Sequence, residues 1–203
     1  MVTIKPHSTD VNPLGSIGHV SVYQETLLRL SLKEGDTVVD ATLGNGHDAA
    51  KIIDVIGKNG FLYGFDIQSM AIETSENRLK ALSHDNFKLI CADHAQMKNY
   101  LPDNIQGFVF NLGYLPKGDK QMTTTWETTR QAIESALELV NPNGFVSVMT
   151  YPGHESGMTE DLAIADYFSS LDQSMFQIAL TQFINQQNHP PKLYWLTKRA
   201  LRK

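Results

Sequence analysis

The chain has 203 residues, 41% of them apolar and 19% charged, the proportions of one globular domain with an ordinary core and little length for a second. Its net charge of -5 argues against a protein that coats nucleic acid nonspecifically, because such binding needs lysine and arginine to displace phosphate counterions. No stretch approaches the roughly 20 uninterrupted apolar residues of a bilayer span, "MVTIKPHSTDVNP" lacks the apolar centre of a signal peptide, and Cys91 is the only cysteine; a cytoplasmic protein with no membrane attachment, no internal disulfide and no metal site is therefore expected.

In chain order, residues 1–35 read as an N-terminal helical segment, in which "SVYQETLLRLSLKEGD" packs on a sheet or lids a site. Then short, nearly continuous apolar runs follow: "TVVDATL" (37–43), "GFLYGFDI" (60–67), "FKLICAD" (87–93), "GFVFNLG" (107–113) and "GFVSVMTY" (144–151). Strands covered on both faces have this composition, so a parallel sheet is expected, with Cys91 as a small apolar group in the third strand. Between them "HDAAKIIDVIG", "SMAIETSENRLKAL" and "TTTWETTRQAIESALELV" carry apolar residues at helical spacing, giving repeated βαβ units. At the end, "FQIALTQFIN" and "KLYWLTKR" are joined by "QQNHPPK", too short for a crossover helix and suited to an antiparallel hairpin. The whole is read as one domain, 1–203, an α/β Rossmann-like, doubly wound, mostly parallel seven-stranded sheet ending in that hairpin.

The first β–α turn, "DATLGNGHD", carries the first candidate ligand loop. Asp40 closes the strand, Thr42, Gly44, Asn45 and Gly46 form the turn, and Asp48 opens the next helix. Glycines are needed where a ligand lies against the main chain. Two carboxylates at this point repel a pyrophosphate and attract a ligand that bears a sulfonium and an ammonium. That favours S-adenosylmethionine over NAD. Asp66 in "YGFDIQ" ends the second strand, where a carboxylate accepts both ribose hydroxyls of an adenosine, with Gln68 flanking it. In "CADHA", Asp93 can accept the adenine amino group and His94 can lie beside the ring.

"NLGYLP" ends the fourth strand, beside the point where strand order reverses and an acceptor can meet the methyl group. The amide oxygen of Asn111 can accept from an N–H of an incoming amine, and Tyr114 can stack on a base or wall the pocket. The stretch resembles the Asn/Asp-Pro-Pro-Tyr/Phe motif of nitrogen-directed methyltransferases, with Leu112 and Gly113 in place of the prolines. Asp119 in "KGDK", His154 in "YPGH" and Tyr114 are candidates to take the proton an aliphatic amine must lose. Lys117, Lys120, Thr123 to Thr125 and the basic end Lys198, Arg199, Arg202 and Lys203 are candidate phosphate contacts, although the threonines also suit helix capping.

Together, "DATLGNGHDA", "GFDIQ", "ADHA", "NLGYLPKGDK", "TTTWETT" and "YPGHESGMTE" resemble the MnmM/YtqB-type family of bacterial rRNA methylases, over roughly residues 38–160. The resemblance implies a class I S-adenosylmethionine-dependent methyltransferase whose partner is tRNA, through its anticodon region. The reaction it implies is methylation of the amine of 5-aminomethyl-2-thiouridine at the wobble position. The alternatives are an rRNA or small-molecule amine methyltransferase of the same fold, and a homodimer is a compatible assembly.

Overall fold

The computed structural model describes residues 18–113 and 125–200. Helix α1 (Val20–Ser31) precedes β1 (Thr37–Asp40), α2 (His47–Ile56), β2 (Phe61–Asp66), α3 (Ser69–Ala81) and β3 (Phe87–Cys91). A 3-10 turn (His94–Asn99) leads to β4 (Ile105–Leu112), α4 (Trp126–Leu139), β5 (Val140–Thr150), α5 (Glu155–Ser170), β6 (Phe176–Thr181) and β7 (Lys192–Lys198). The strands form one sheet in the order β3-β2-β1-β4-β5-β7-β6. The first five pair in parallel, and β7 runs antiparallel to both β5 and β6. This is the expected doubly wound sheet with its C-terminal hairpin.

Side-chain alternation along each strand divides the core into two layers. Val38, Leu62, Val109, Phe145 and Trp195 face α1, α2 and α3, whereas Val39, Phe108, Phe110, Val146, Val148 and Tyr194 face α4 and α5. Helix α2 buries Ala49, Ile52, Ile53 and Ile56, a stripe at helical spacing, and each isoleucine so buried contributes about 1.5–3 kcal/mol. Helix α4 starts where Thr125 N–H donates to Thr128 Oγ1, and buries Thr129, Ala132, Ile133, Ala136 and Leu137. Its C-terminal carbonyls, of Leu137 and Glu138, and that of Val140 accept from Lys198 Nζ at 2.9–3.0 Å. Lys198 thus holds a helix end, where the sequence reading offered it for phosphate contact.

Three features differ from expectation. Helix α5 is absent from the sequence reading because its buried face includes Glu160 and Asp161, which interrupt the apolar period. The Asp161 carboxylate is fully buried and accepts from Thr150 Oγ1 at 2.6 Å, Lys192 Nζ at 2.6 Å and Tyr194 O–H at 3.1 Å, so α5 is bolted to β5 and β7 through a charge. Cys91 does end β3, but β3 is an edge strand and the thiol side is exposed. The hairpin strand β6 stops at Thr181, so its connection to β7 is longer than the seven residues read from the sequence.

Candidate active site

Strand order reverses between β1 and β4, and a cleft of about 1280 Å³ opens at their C-terminal ends. Its walls include Asp40's neighbours Ala41 to Asn45, the ends of β2 and β3, Asn111, and residues after β5. The volume exceeds that of a typical single small-ligand pocket.

The glycine loop is locked from outside. Ser75 Oγ donates to the Gly44 carbonyl at 2.9 Å and Arg78 Nε to that of Asn45 at 2.8 Å. Gly46 caps α2 at φ +71, and a Cβ there would sit 2.7 Å from Ser75 Oγ, so only glycine allows α3 to approach this closely. Asp66 spans the loop and the next turn. Its Oδ2 accepts from Gly44 N–H and its Oδ1 from Gln68 N–H, each at 2.9 Å. Each oxygen keeps a second lone pair toward the cleft that Asp66 and Gln68 line.

Asp40 is 1% exposed and its Oδ1 accepts from Thr42 N–H at 3.1 Å. Burial, reinforced by the charges of Asp48 and Asp66 and only partly offset by that N–H, pushes its carboxyl up to about 8. Asp48 meets Lys51 Nζ at 3.3 Å, whereas Asp40 and Asp66 have no cationic partner among the described residues, and carboxylates so placed fit a sulfonium and an ammonium. Asp93 accepts from Ala95 N–H at 2.8 Å and caps the 3-10 turn. His94 stands edge-on to Phe110, its Nδ1 is 3.2 Å from the Ala41 carbonyl, and its Nε2 has no hydrogen-bond partner among the described residues. Burial holds this imidazole below its usual range despite Asp93 and Asp66. A neutral ring that donates from Nδ1 presents an accepting Nε2. Both residues line the cleft.

Asn111 is fixed along its whole length. Its backbone N–H donates to Thr42 Oγ1 at 2.7 Å, its Nδ2 to Asp48 Oδ2 at 2.6 Å, and its Oδ1 accepts from Gln24 Nε2 at 3.0 Å. One lone pair of the amide oxygen expected to meet the substrate is therefore already used. Beyond β5, Tyr151 lines the cleft, and its O–H donates to Met149 Sδ at 3.2 Å. Burial and the Asp48 charge raise that phenol above its ordinary value. His154 also lines the cleft, as the cap of α5: its Nδ1 accepts from Gly157 N–H at 3.1 Å and is 2.9 Å from Ser156 Oγ.

Thr125 lines the cleft; Tyr114, Asp119, Lys117, Lys120, Thr123, Thr124, Arg202 and Lys203 lie outside the described residues. Gln24, Ser75, Arg78 and Tyr151 were missed, as was the β6–β7 connection, which brings Asn188, His189, Pro190 and Pro191 to the cleft wall. The pair of prolines after Asn188 and His189, both at positive φ, was the available signal for a shaped loop.

Comparison with known proteins places this geometry. The family model described as "Putative rRNA methylase" matches residues 62–197, and that for protein-L-isoaspartate(D-aspartate) O-methyltransferase matches residues 6–101. A solved protein of the first description from Clostridium thermocellum is 37% identical with a TM-score of 0.87, covering 97% of this chain and 100% of its own. A Streptococcus mutans structure, described as a methyltransferase in complex with SAH, is 31% identical with a TM-score of 0.81, over 88% of this chain and 97% of that one. The chloroplastic tRNA (mnm(5)s(2)U34)-methyltransferase of Arabidopsis thaliana is 35% identical over 150 residues, 68% of this chain and 54% of that protein. The chain therefore spans about half the length of that curated relative. With the first model covering most of its sheet and a solved relative aligned over its full length, the chain belongs to the rRNA methylase family, built on the class I S-adenosylmethionine-dependent methyltransferase fold.

Proposed function

We propose that this chain methylates an amine on RNA with S-adenosylmethionine, the acceptor being 5-aminomethyl-2-thiouridine at the tRNA wobble position. The observation that carries the reading is the meeting of an acidic cofactor cradle, Asp40, Asp48 and Asp66, with Asn111 at the reversal of strand order. The name of the Arabidopsis relative supplies the nucleoside.

The bound cofactor supplies a methyl group on a sulfonium, which an amine lone pair takes in an in-line displacement that leaves a thioether. Asp66 would hold the ribose hydroxyls with the two lone pairs left by Gly44 and Gln68. Asp40 and Asp48 would face the cationic end, with Thr42, Asn45 and Gly46 shaping the loop beneath it. Asp93 and His94 would border the adenine. The remaining lone pair of Asn111 Oδ1 would accept from the acceptor amine and aim its nitrogen, and positioning of this kind supplies most of the rate of such a displacement. Tyr114 and Asp119 are proposed as pocket wall and proton acceptor on sequence grounds alone. Tyr151, its phenol held protonated, would border the acceptor's base.

Bulk tRNA from cells lacking this protein, incubated with labelled S-adenosylmethionine and digested for nucleoside mass spectrometry, should gain one methyl on 5-aminomethyl-2-thiouridine. Asn111→Ala should lower kcat on the order of 100-fold with little change in cofactor affinity. Label in ribosomal RNA instead would favour the second reading, which the similarity to a Syntrophus aciditrophicus protein named ribosomal RNA small subunit methyltransferase H supports, 31% identical over 94 residues, 44% of this chain and 30% of that one. Full turnover by Asn111→Ala would remove the role given to that residue.

A further inference from the structure

Helix α1 buries three residues on one stripe, Val20, Gln24 and Leu28. Val20 packs with Met149 and Leu193, and Leu28 joins the cluster around α2, so a leucine between them would extend one apolar seam. A glutamine stands there instead, 2% exposed. Burying an amide carries a cost unless it is hydrogen-bonded, and a polar residue that breaks an apolar stripe is a sign of function.

Its bonds show what it holds. Gln24 Nε2 donates to Asn111 Oδ1 at 3.0 Å and to Ser147 Oγ at 3.1 Å. The polarity of this chain is set at its far end by Asp48, whose carboxylate can only accept. Asn111 must therefore turn its NH2 to Asp48, its oxygen faces Gln24, and Gln24 must donate. The adjacent residue of α1 works on the same anchor: Glu25 pairs with Lys51 Nζ at 3.3 Å, and Lys51 pairs with Asp48 at 3.3 Å. Both ends of the Asn111 amide are thus held from α1, one directly and one through Lys51 and Asp48.

We propose that Gln24 is a positioning residue, which donates to Asn111 Oδ1 and so fixes the amide that aims the acceptor amine. This rests on the role given to Asn111 above. By holding one lone pair, Gln24 leaves the other as the single acceptor site on that oxygen and prevents the amide from turning. Helix α1 is on this account part of the active site and more than a cover for the sheet.

The test is a double-mutant cycle on the full chain, with kcat on tRNA and cofactor Kd measured for each protein. Gln24→Leu, which fills the seam, should lower kcat by between about 10- and 100-fold while cofactor Kd stays within about twofold. In the Asn111→Ala background the same change should cost nothing further. Gln24→Glu supplies a second readout, because a carboxyl can replace the donated hydrogen bond only while protonated. Its kcat relative to wild type should fall as pH rises. Glu25 on α1, Asp48 and Lys51 on α2, Asp40 at the end of β1 and Tyr151 after β5 are present in both proteins, so the ratio reports the introduced acid. Additive losses in the cycle, a flat pH ratio, or full turnover by Gln24→Leu when Asn111→Ala is impaired would overturn the Gln24 proposal alone. Full turnover by Asn111→Ala would overturn the Asn111 assignment and the Gln24 role with it.

Discussion

Lowering the pH from 8 to 6 should weaken S-adenosylmethionine binding about 50-fold, and the loss should trace to Asp40. Its carboxyl is pushed up to about 8, first by burial and then by the charges of Asp48 and Asp66. A cation seated beside it requires the ionised form, and removing the proton costs a factor of about 100 two units below the pKa but only about 2 at the pKa. Calorimetry at about pH 6.5 in two buffers of different ionisation enthalpy should therefore count close to one proton released per cofactor bound. Asp40→Asn should abolish both that release and most of the pH slope, and since the cofactor's own ammonium is common to both proteins, the difference isolates Asp40. The ligand-free fold should respond with the opposite sign. A carboxyl raised from 3.8 gives stability that is complete below that value and lost as pH rises through about 8. Absence of proton release, or an unchanged slope in Asp40→Asn, would refute the reasoning.

Asp66→Ala should weaken cofactor binding by on the order of 100-fold, since hydrogen bonds to a charged group are each worth about 1.5–3 kcal/mol; unchanged affinity in a titration would remove the adenosine placement. Lys192→Met should destabilise the fold by about 3 kcal/mol, because it strips the cation from a fully buried Asp161. Thermal unfolding should drop by about 6–12 °C, and a melt within a degree of wild type would show the pair to be dispensable. Gly46→Ala should cost at least about 10-fold in cofactor affinity, since its Cβ meets Ser75 and its φ is left-handed; a variant that binds normally would mean that the loop is not held against α3.

The sheet was legible because its strands, covered on both faces, are apolar nearly without interruption, and because the three strand ends Asp40, Asp66 and Asp93 each carry an acid. Their spacing alone predicted where the cleft should open. Helix α5 was illegible for the opposite reason: a charge cluster sits on its buried side, so Asp161 reads as solvated until Lys192, about 30 residues later, is brought to it. Gln24 was hidden in the same way. Its partners Asn111 and Ser147 are distant in sequence, and a lone glutamine in an amphipathic helix looks like a surface residue. Lys198 shows the converse, a terminal basic residue that reads as solvated yet ends on helix carbonyls. Local pattern reveals elements, whereas polar groups acquire meaning only through the neighbours that topology gives them.

Strand β7 is threaded between β5 and β6, and the connection before it returns to the cleft with Asn188 to Pro191. The acidic cradle belongs to β1, α2 and β2, on the other side of the strand reversal. On the proposed reading the molecule has a reagent side and a recipient side, which meet at β4 and are bridged by α1. Insertions or replacements within residues 182–191 can reshape what is presented to the methyl group while leaving every carboxylate of the cradle in place. The same changes inside β7 would not be tolerated, because a slip of one residue would exchange Tyr194 and Trp195 between the two core layers. On the proposed reading, retargeting to a new acceptor would have its locus in that loop, where Pro190 and Pro191 line the cleft.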